Sequence, residues 1–370
     1  MWNDTLEAVD QFIACPQNPL LYPKVPTRED CLVANIITPY KGTNLSVLVY
    51  VHGGAYQLGF GHALSPKTLV DSQKIIAVTF NYRLGAHGFL CLGTDSAPGN
   101  AGMKDIVALL RWVQQNIASF GGNPHDVTIA GYSAGSSAVG LLILSRMTAG
   151  LFSKAIPESG ADVGTWSVQL DPIENAKKYA KQLGFNKVEN IQALEEFYQN
   201  ADFDELMSDA FETKKDSTFH FTPCIERDVG EEIFLHDSPV NIIRQEKYNK
   251  VAMLYGFTDM EGLFRMPQFY YWIWDMNLRF SNYLPADLIF KNEIVRKNVA
   301  KEIKSFYTAK NSSLFTITGY INYFTDVMFA YPVLRSINLR LASGSENIYL
   351  YEYSFSKKYS HINLPGASHC

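Results

Sequence analysis

The feature that most constrains this chain is a tight junction near its middle. A β-branched run, Val127-Thr128-Ile129-Ala130, leads into Gly131-Tyr132-Ser133-Ala134-Gly135, and an apolar, helix-forming stretch from Ser136 to Leu144 follows at once. A buried strand that turns within five residues into a buried helix requires residues without bulk at the turn, and it lifts the central serine onto the helix N-terminus. This is the context of a nucleophile elbow, and it predicts an α/β-hydrolase fold with a mostly parallel central sheet. A bare G-x-S-x-G pattern arises often by chance, so the strand before it and the helix after it carry the inference.

The surrounding pattern agrees. Ser46–Val51 and Ile75–Phe80 read as buried parallel strands. Between the second of these and the elbow strand, Ile106, Leu109, Leu110, Val113 and Ile117 follow helical spacing until Gly121-Gly122-Asn123-Pro124 ends it. Strand, helix, strand in that order is a crossover unit. Two further strands are predicted at Lys250–Tyr255 and Asn347–Tyr351, each followed by candidate catalytic side chains. The segments 170–245 (polar) and 265–340 (aromatic) read as helical insertions, so residues 1–370 are expected to form one catalytic domain.

A serine hydroxyl becomes a nucleophile only beside a base that is itself oriented by an acid, and this fold supplies them in the chain order serine, acid, histidine. Glu261 and Asp259 both follow the Val251–Tyr255 run and compete for the acid. His369 and His361 compete for the base. Directly after the Leu48–Val51 run stands His52-Gly53-Gly54-Ala55, whose small residues let backbone amides face a shared cavity. With the N–H of Ala134, Gly53 and Gly54 are candidate oxyanion donors, each such donor being worth about 2.7–4 kcal/mol in other hydrolases.

Together with these motifs, Glu29-Asp30-Cys31-Leu32, Asn81-Tyr82-Arg83-Leu84-Gly85, Pro98-Gly99-Asn100-Ala101-Gly102-Met103-Lys104-Asp105 and Phe120-Gly121-Gly122-Asn123-Pro124 are present. Across nearly its whole length the chain resembles the type-B carboxylesterases, the carboxylesterase and cholinesterase-like group, and among them the insect-type members. The resemblance implies Ser133 as nucleophile, Glu261 as acid, His369 as base, and Gly53, Gly54 and Ala134 as oxyanion donors. It further implies a Cys15–Cys31 disulfide, an Arg83–Asp105 ion pair, Ser159 near the triad and Trp166 near the acyl pocket. Tyr132 departs from the pattern, standing where many members carry Glu or Gln. Measured against the family, the chain is also expected to be incomplete at both termini.

Function follows as hydrolysis of hydrophobic carboxylic esters through an acyl-enzyme, with a small-molecule ester as partner, no cofactor and no metal. The aromatic run Phe269–Trp274 suits either an apolar gorge or an ordinary core. A net charge of −5, with scattered Lys and Arg, offers no footprint for nucleic acid. No apolar run approaches the roughly 20 residues of a membrane span. Cys15 and Cys31, 16 residues apart, and sequons at Asn3, Asn44 and Asn311 point to a secreted glycoprotein, with a cytoplasmic location as the alternative. The rival readings are a non-catalytic binding module on the same fold and an inactive, truncated esterase.

Overall fold

A computed structural model describes residues 12–19, 24–207, 214–308, 313–355 and 367–369, with no account of the side chains of 313–316. Among the described residues seven strands form one sheet in the order β1-β3-β2-β4-β5-β6-β7. They span Ala34–Ile37 (β1), Leu45–Val51 (β2), Ile76–Phe80 (β3), Gly122–Tyr132 (β4), Lys154–Glu158 (β5), Ala252–Thr258 (β6) and Ile348–Tyr353 (β7). Only β1 runs antiparallel, against β3; every other pairing is parallel.

The predicted strands are present with ends shifted by a few residues. Two more lack a clear sequence signal. β1 is short and only half-buried, so it has no strong apolar run. β5, Lys154-Ala155-Ile156-Pro157-Glu158, contains a proline and begins with an exposed lysine, which weakens its strand signal. The helix expected from residue 105 starts earlier, at Ala101–Asn116 (α1), and buries Met103, Ile106, Val107, Leu110 and Val113. Each such side chain contributes about 1.5–3 kcal/mol on burial. Ala134–Leu144 (α2) is buried at every position, as its all-round apolar sequence requires.

The first insertion is helical only in part. Pro172–Gln182 (α3) and Ile191–Asn200 (α4) are helices, but the described residues between 214 and 237 are irregular. The second holds Met266–Leu278 (α5), Glu293–Thr308 (α6), Ser313–Thr325 (α7) and Tyr331–Ala342 (α8). A π-helical turn at Asp326–Ala330 joins α7 to α8.

The order of strands places the site. The chain runs from β2 to β3 on one side and then returns to β4 on the other side of β2. At such a reversal, a crevice opens beyond the carboxyl ends of the neighbouring strands. The His52–Ala55 loop leaves β2 at that edge, and Ser133 leaves β4 beside it.

Among the described residues two disulfides cross-link the chain. Cys15–Cys31 is the expected one. Cys91–Cys224, which closes a span of 133 residues, is not anticipated, because nothing local in sequence ties the irregular segment near residue 224 to the loop after Phe89.

Candidate active site

The elbow is held in a strained state by close packing. Ser133 has φ 56° and ψ −124°, a region that costs on the order of 1–3 kcal/mol for a residue with a side chain. Its N–H donates to Glu158 O at 2.9 Å, and its carbonyl accepts the Ser137 N–H at 3.1 Å, so backbone bonds on both sides fix the conformation. The two flanking glycines permit the turn. A Cβ at Gly131 would lie 2.6 Å from Gly135 O, and one at Gly135 would lie 2.2 Å from Val51 O. Ala134 opens α2, so its N–H is among the first amides of the helix, which have no intrahelical acceptor.

The loop after β2 lies against this elbow. Gly54 has φ 113°, and a Cβ there would stand 2.0 Å from Leu58 O, so only glycine fits. A Cβ on Gly53 would come within 3.0 Å of the Ser133 Cβ, which shows how closely the loop backbone approaches the serine. His52 anchors the loop from beneath: its Nδ1 lies 2.9 Å from Gly53 O and its ring stacks on Tyr82 at 4.3 Å. The Tyr82 hydroxyl donates to His52 O at 2.9 Å. Burial lowers the His52 pKa from 6.5 to about 4, outweighing the bond to Gly53, so the ring is neutral at pH 7.

That depression makes the loop acid-sensitive in a defined window. The folded-state value lies below the unfolded one, so the stabilising contribution is complete above pH 6.5 and is lost as pH falls through about 4. The loss amounts to about 3 kcal/mol. Denaturation midpoints measured from pH 7 to pH 4 are expected to fall less steeply for His52→Gln than for the parent; parallel curves would refute the assignment.

The candidate acid and base follow the far strands. Glu261 lies in the turn after β6, with a fully buried side chain. One carboxylate oxygen accepts the Thr258 N–H at 2.7 Å, and the other lies 2.5 Å from His369 Nδ1. Asp259, the competing acid, points elsewhere and accepts the Ala367 N–H at 2.7 Å, while Met260 N–H donates to Ala367 O at 3.1 Å. His361 lies outside the described residues.

Ser133, His369, Gly54 and Ala55 share one cavity of about 130 Å³, walled by Tyr132, Trp166, Phe219, Phe264 and Phe329. The Phe329 and Phe264 rings stand 4.5 and 5.5 Å from the His369 ring. Trp166 is buried, and its Nε1–H donates to Met328 O at 2.9 Å, tying the wall to the π-helical turn. Apolar walls lower the local dielectric and strengthen every charge interaction inside. Tyr132 puts a neutral ring beside the elbow, 6.4 Å from the His369 ring, where Glu or Gln is common in the group that the sequence resembles.

Sequence reasoning missed Phe219, Phe264 and Phe329, which stand in segments with no chemical motif. Phe269–Trp274, which suited either a gorge or a core, does not line this cavity: those residues lie on α5, with Phe269 and Trp272 buried and Tyr270, Tyr271 and Trp274 exposed. Nearby, the Arg83 guanidinium grips Asp105 through two bonds, at 2.8 and 2.7 Å, and Ser159 is buried with its N–H on Gly256 O at 2.8 Å. Among the described residues no group of three or more His, Cys, Asp or Glu side chains is disposed to hold a metal ion, and no helix is long and apolar enough to cross a membrane.

Comparison with known proteins identifies the family and the fold. The pattern of the "Carboxylesterase family" matches residues 1–370. A carboxylic ester hydrolase of Bombus ignitus is 33% identical over 97% of this chain and 67% of its own length. Esterase FE4 of Myzus persicae is 32% identical over 92% of the chain and 62% of its own length. The crystal structure of juvenile hormone esterase from Manduca sexta, with OTFP covalently attached, superposes with a TM-score of 0.84 at 31% identity, covering 96% of this chain and 70% of that one. The chain thus spans roughly two thirds of the length of the relatives it matches.

Proposed function

This chain belongs to the carboxylesterase family of serine ester hydrolases, and on that premise we propose that Ser133 is its nucleophile, His369 its general base and Glu261 the acid that orients the base. The observation that carries the proposal is the 2.5 Å contact from Glu261 to Nδ1 of His369, which lines the same cavity as Ser133. With Nδ1 engaged by the carboxylate, Nε2 is left to take the Ser133 proton as Oγ attacks the ester carbonyl carbon. The amides of Gly53, Gly54 and Ala134 meet the oxyanion. His369 returns the proton to the departing alkoxide, so the alcohol leaves and Ser133 carries the acyl group. Water then attacks with His369 again as base, and the acid departs. Trp166, Phe219, Phe264 and Phe329 present the acyl group with an apolar wall, which supports hydrophobic esters.

Intact-mass analysis after exposure to a phosphorylating organophosphate, followed by peptide mapping, tests this. One adduct, on Ser133, is the expected result. No adduct would favour a binding module on the same fold.

Asp259 is assigned to the loop that carries His369. Losing its bond to Ala367 N–H frees the segment two residues before the base, and displacement of a catalytic group by about 1 Å costs roughly 100-fold. Asp259→Ala is expected to lower kcat by about that factor, whereas Asp259→Asn, which keeps an acceptor oxygen, stays close to the parent. Equal losses in the two variants would contradict the role.

Two disulfides support passage through an oxidising compartment. With the exposed Asn44 of Asn44-Leu45-Ser46 they support a secreted, glycosylated protein.

A further inference from the structure

Helix α5 reads Met266-Pro267-Gln268-Phe269-Tyr270-Tyr271-Trp272-Ile273-Trp274-Asp275-Met276-Asn277-Leu278 and contains a single charged residue. Its inner face is accounted for: Gln268, Phe269, Trp272 and Met276 are buried. Its outer face is not what a water-facing helix carries. Tyr270, Tyr271, Trp274 and Leu278 are 84%, 85%, 77% and 81% exposed. At about 100° per residue these four fall within an arc of roughly 100°, so they form one continuous stripe. Solvent-facing positions on an amphipathic helix are normally polar, and a contiguous exposed apolar patch marks an interaction surface.

The chemistry of the stripe favours one kind of partner. Tyr and Trp have an apolar body and a polar tip, and they concentrate where hydrocarbon gives way to water. The charges bonded directly to α5 are biased in the same direction. Lys215 and Arg279 both contact Asp275, at 2.8 and 2.6 Å, and Lys304 Nζ donates to Asn277 O at 2.6 Å. Two cations thus contact the one carboxylate of the helix, a third bonds its backbone near the C-terminal end, and the Arg279 side chain is 70% exposed. An aromatic stripe with a cationic end complements a lipid surface with anionic headgroups. The helix starts two residues after Phe264, which walls the catalytic cavity, so a surface engaged by α5 would lie close to the site.

We infer that the exposed face of α5 docks this protein onto a lipid–water interface bearing anionic headgroups. The test is cosedimentation of the full chain with vesicles of phosphatidylcholine alone and of phosphatidylcholine mixed with phosphatidylserine. The parent is expected to partition onto both, more strongly onto the mixed vesicles. The double variant Tyr271→Ser, Trp274→Ser is expected to lose at least about tenfold in partition, with thermal melting and hydrolysis of a water-soluble ester unchanged. Arg279→Gln is expected to remove most of the preference for mixed vesicles. Absence of binding by the parent, or equal binding by the double variant, would overturn the inference. So would sedimentation showing a dimer of the parent that the double variant cannot form, since the face would then join two copies. The readout is partition, so a negative result leaves the proposed ester chemistry standing.

Discussion

Ser133→Ala is expected to lower kcat for a soluble ester by on the order of 10⁵–10⁶ and to abolish organophosphate labelling, with the fold intact. The magnitude follows from what the residue does. Without a nucleophile no acyl-enzyme forms, and only the oxyanion donors and substrate binding remain, a combination that retains a rate about 10³–10⁴ above water in related triads. The expectation of an intact fold follows from the backbone: Ser133 is held by its own N–H and C=O, which an alanine keeps. Alanine has little more difficulty than serine at φ 56°, because the steric conflict there arises from Cβ, which both possess. Because triad members act as a unit, His369→Ala in the Ser133→Ala background should add little. A variant that kept a tenth of the parental rate would remove Ser133 from the mechanism.

The largest effect on stability is expected at Arg340, far from any motif. Arg340 on α8 and Asp162, four residues beyond the end of β5, are both completely buried, with Nη2 and Oδ2 2.6 Å apart. The Ser336 hydroxyl donates to the second carboxylate oxygen at 2.7 Å. The pair fastens the second insertion to the sheet beside Gly160 and Trp166, which pack against the elbow. Arg340→Met would leave the Asp162 charge uncompensated in the interior and is expected to cost about 3–5 kcal/mol, read as a fall in the urea midpoint at constant slope. The cost belongs to the orphaned charge rather than to the pair. The double variant Asp162→Leu, Arg340→Met should therefore recover most of the loss, because apolar substitutes of similar volume often serve a buried pair's place without penalty. A single variant within about 1 kcal/mol of the parent would mean that Asp162 finds another partner or takes up a proton.

Much of the site was legible in the amino-acid order because its determinants are local. The elbow needs a strand, five residues and a helix, all contiguous from Val127 to Leu144. The oxyanion loop likewise follows its own strand directly at His52–Ala55. Period and turn chemistry within 20 residues suffice for both, as they do for the buried stripe of α1. The choice between Glu261 and Asp259 was not local. Both lie in one turn after β6, and only the path of the chain around residue 367 sends one carboxylate to His369 and the other to the Ala367 amide.

The remaining features rest on contacts between segments far apart in the chain: the Cys91–Cys224 bridge, the Arg340–Asp162 pair, and the meeting of Trp166, Phe219, Phe264 and Phe329 around one cavity. An aromatic residue carries no local sign of whether it will wall a cavity, fill a core or face water, and α5 shows that adjacent residues can differ. Phe269 is buried and Tyr270 is exposed, because 100° of helical rotation separates them and only one side of the helix meets the rest of the protein. The sequence by itself determined the elbow and the parallel sheet, since short-range sterics and periodicity specify them. Tertiary structure decided which of the two neighbouring carboxylates lies against His369, which rings wall the cavity at Ser133 and which charges are buried together, because those depend on how elements far apart in the chain cross in space.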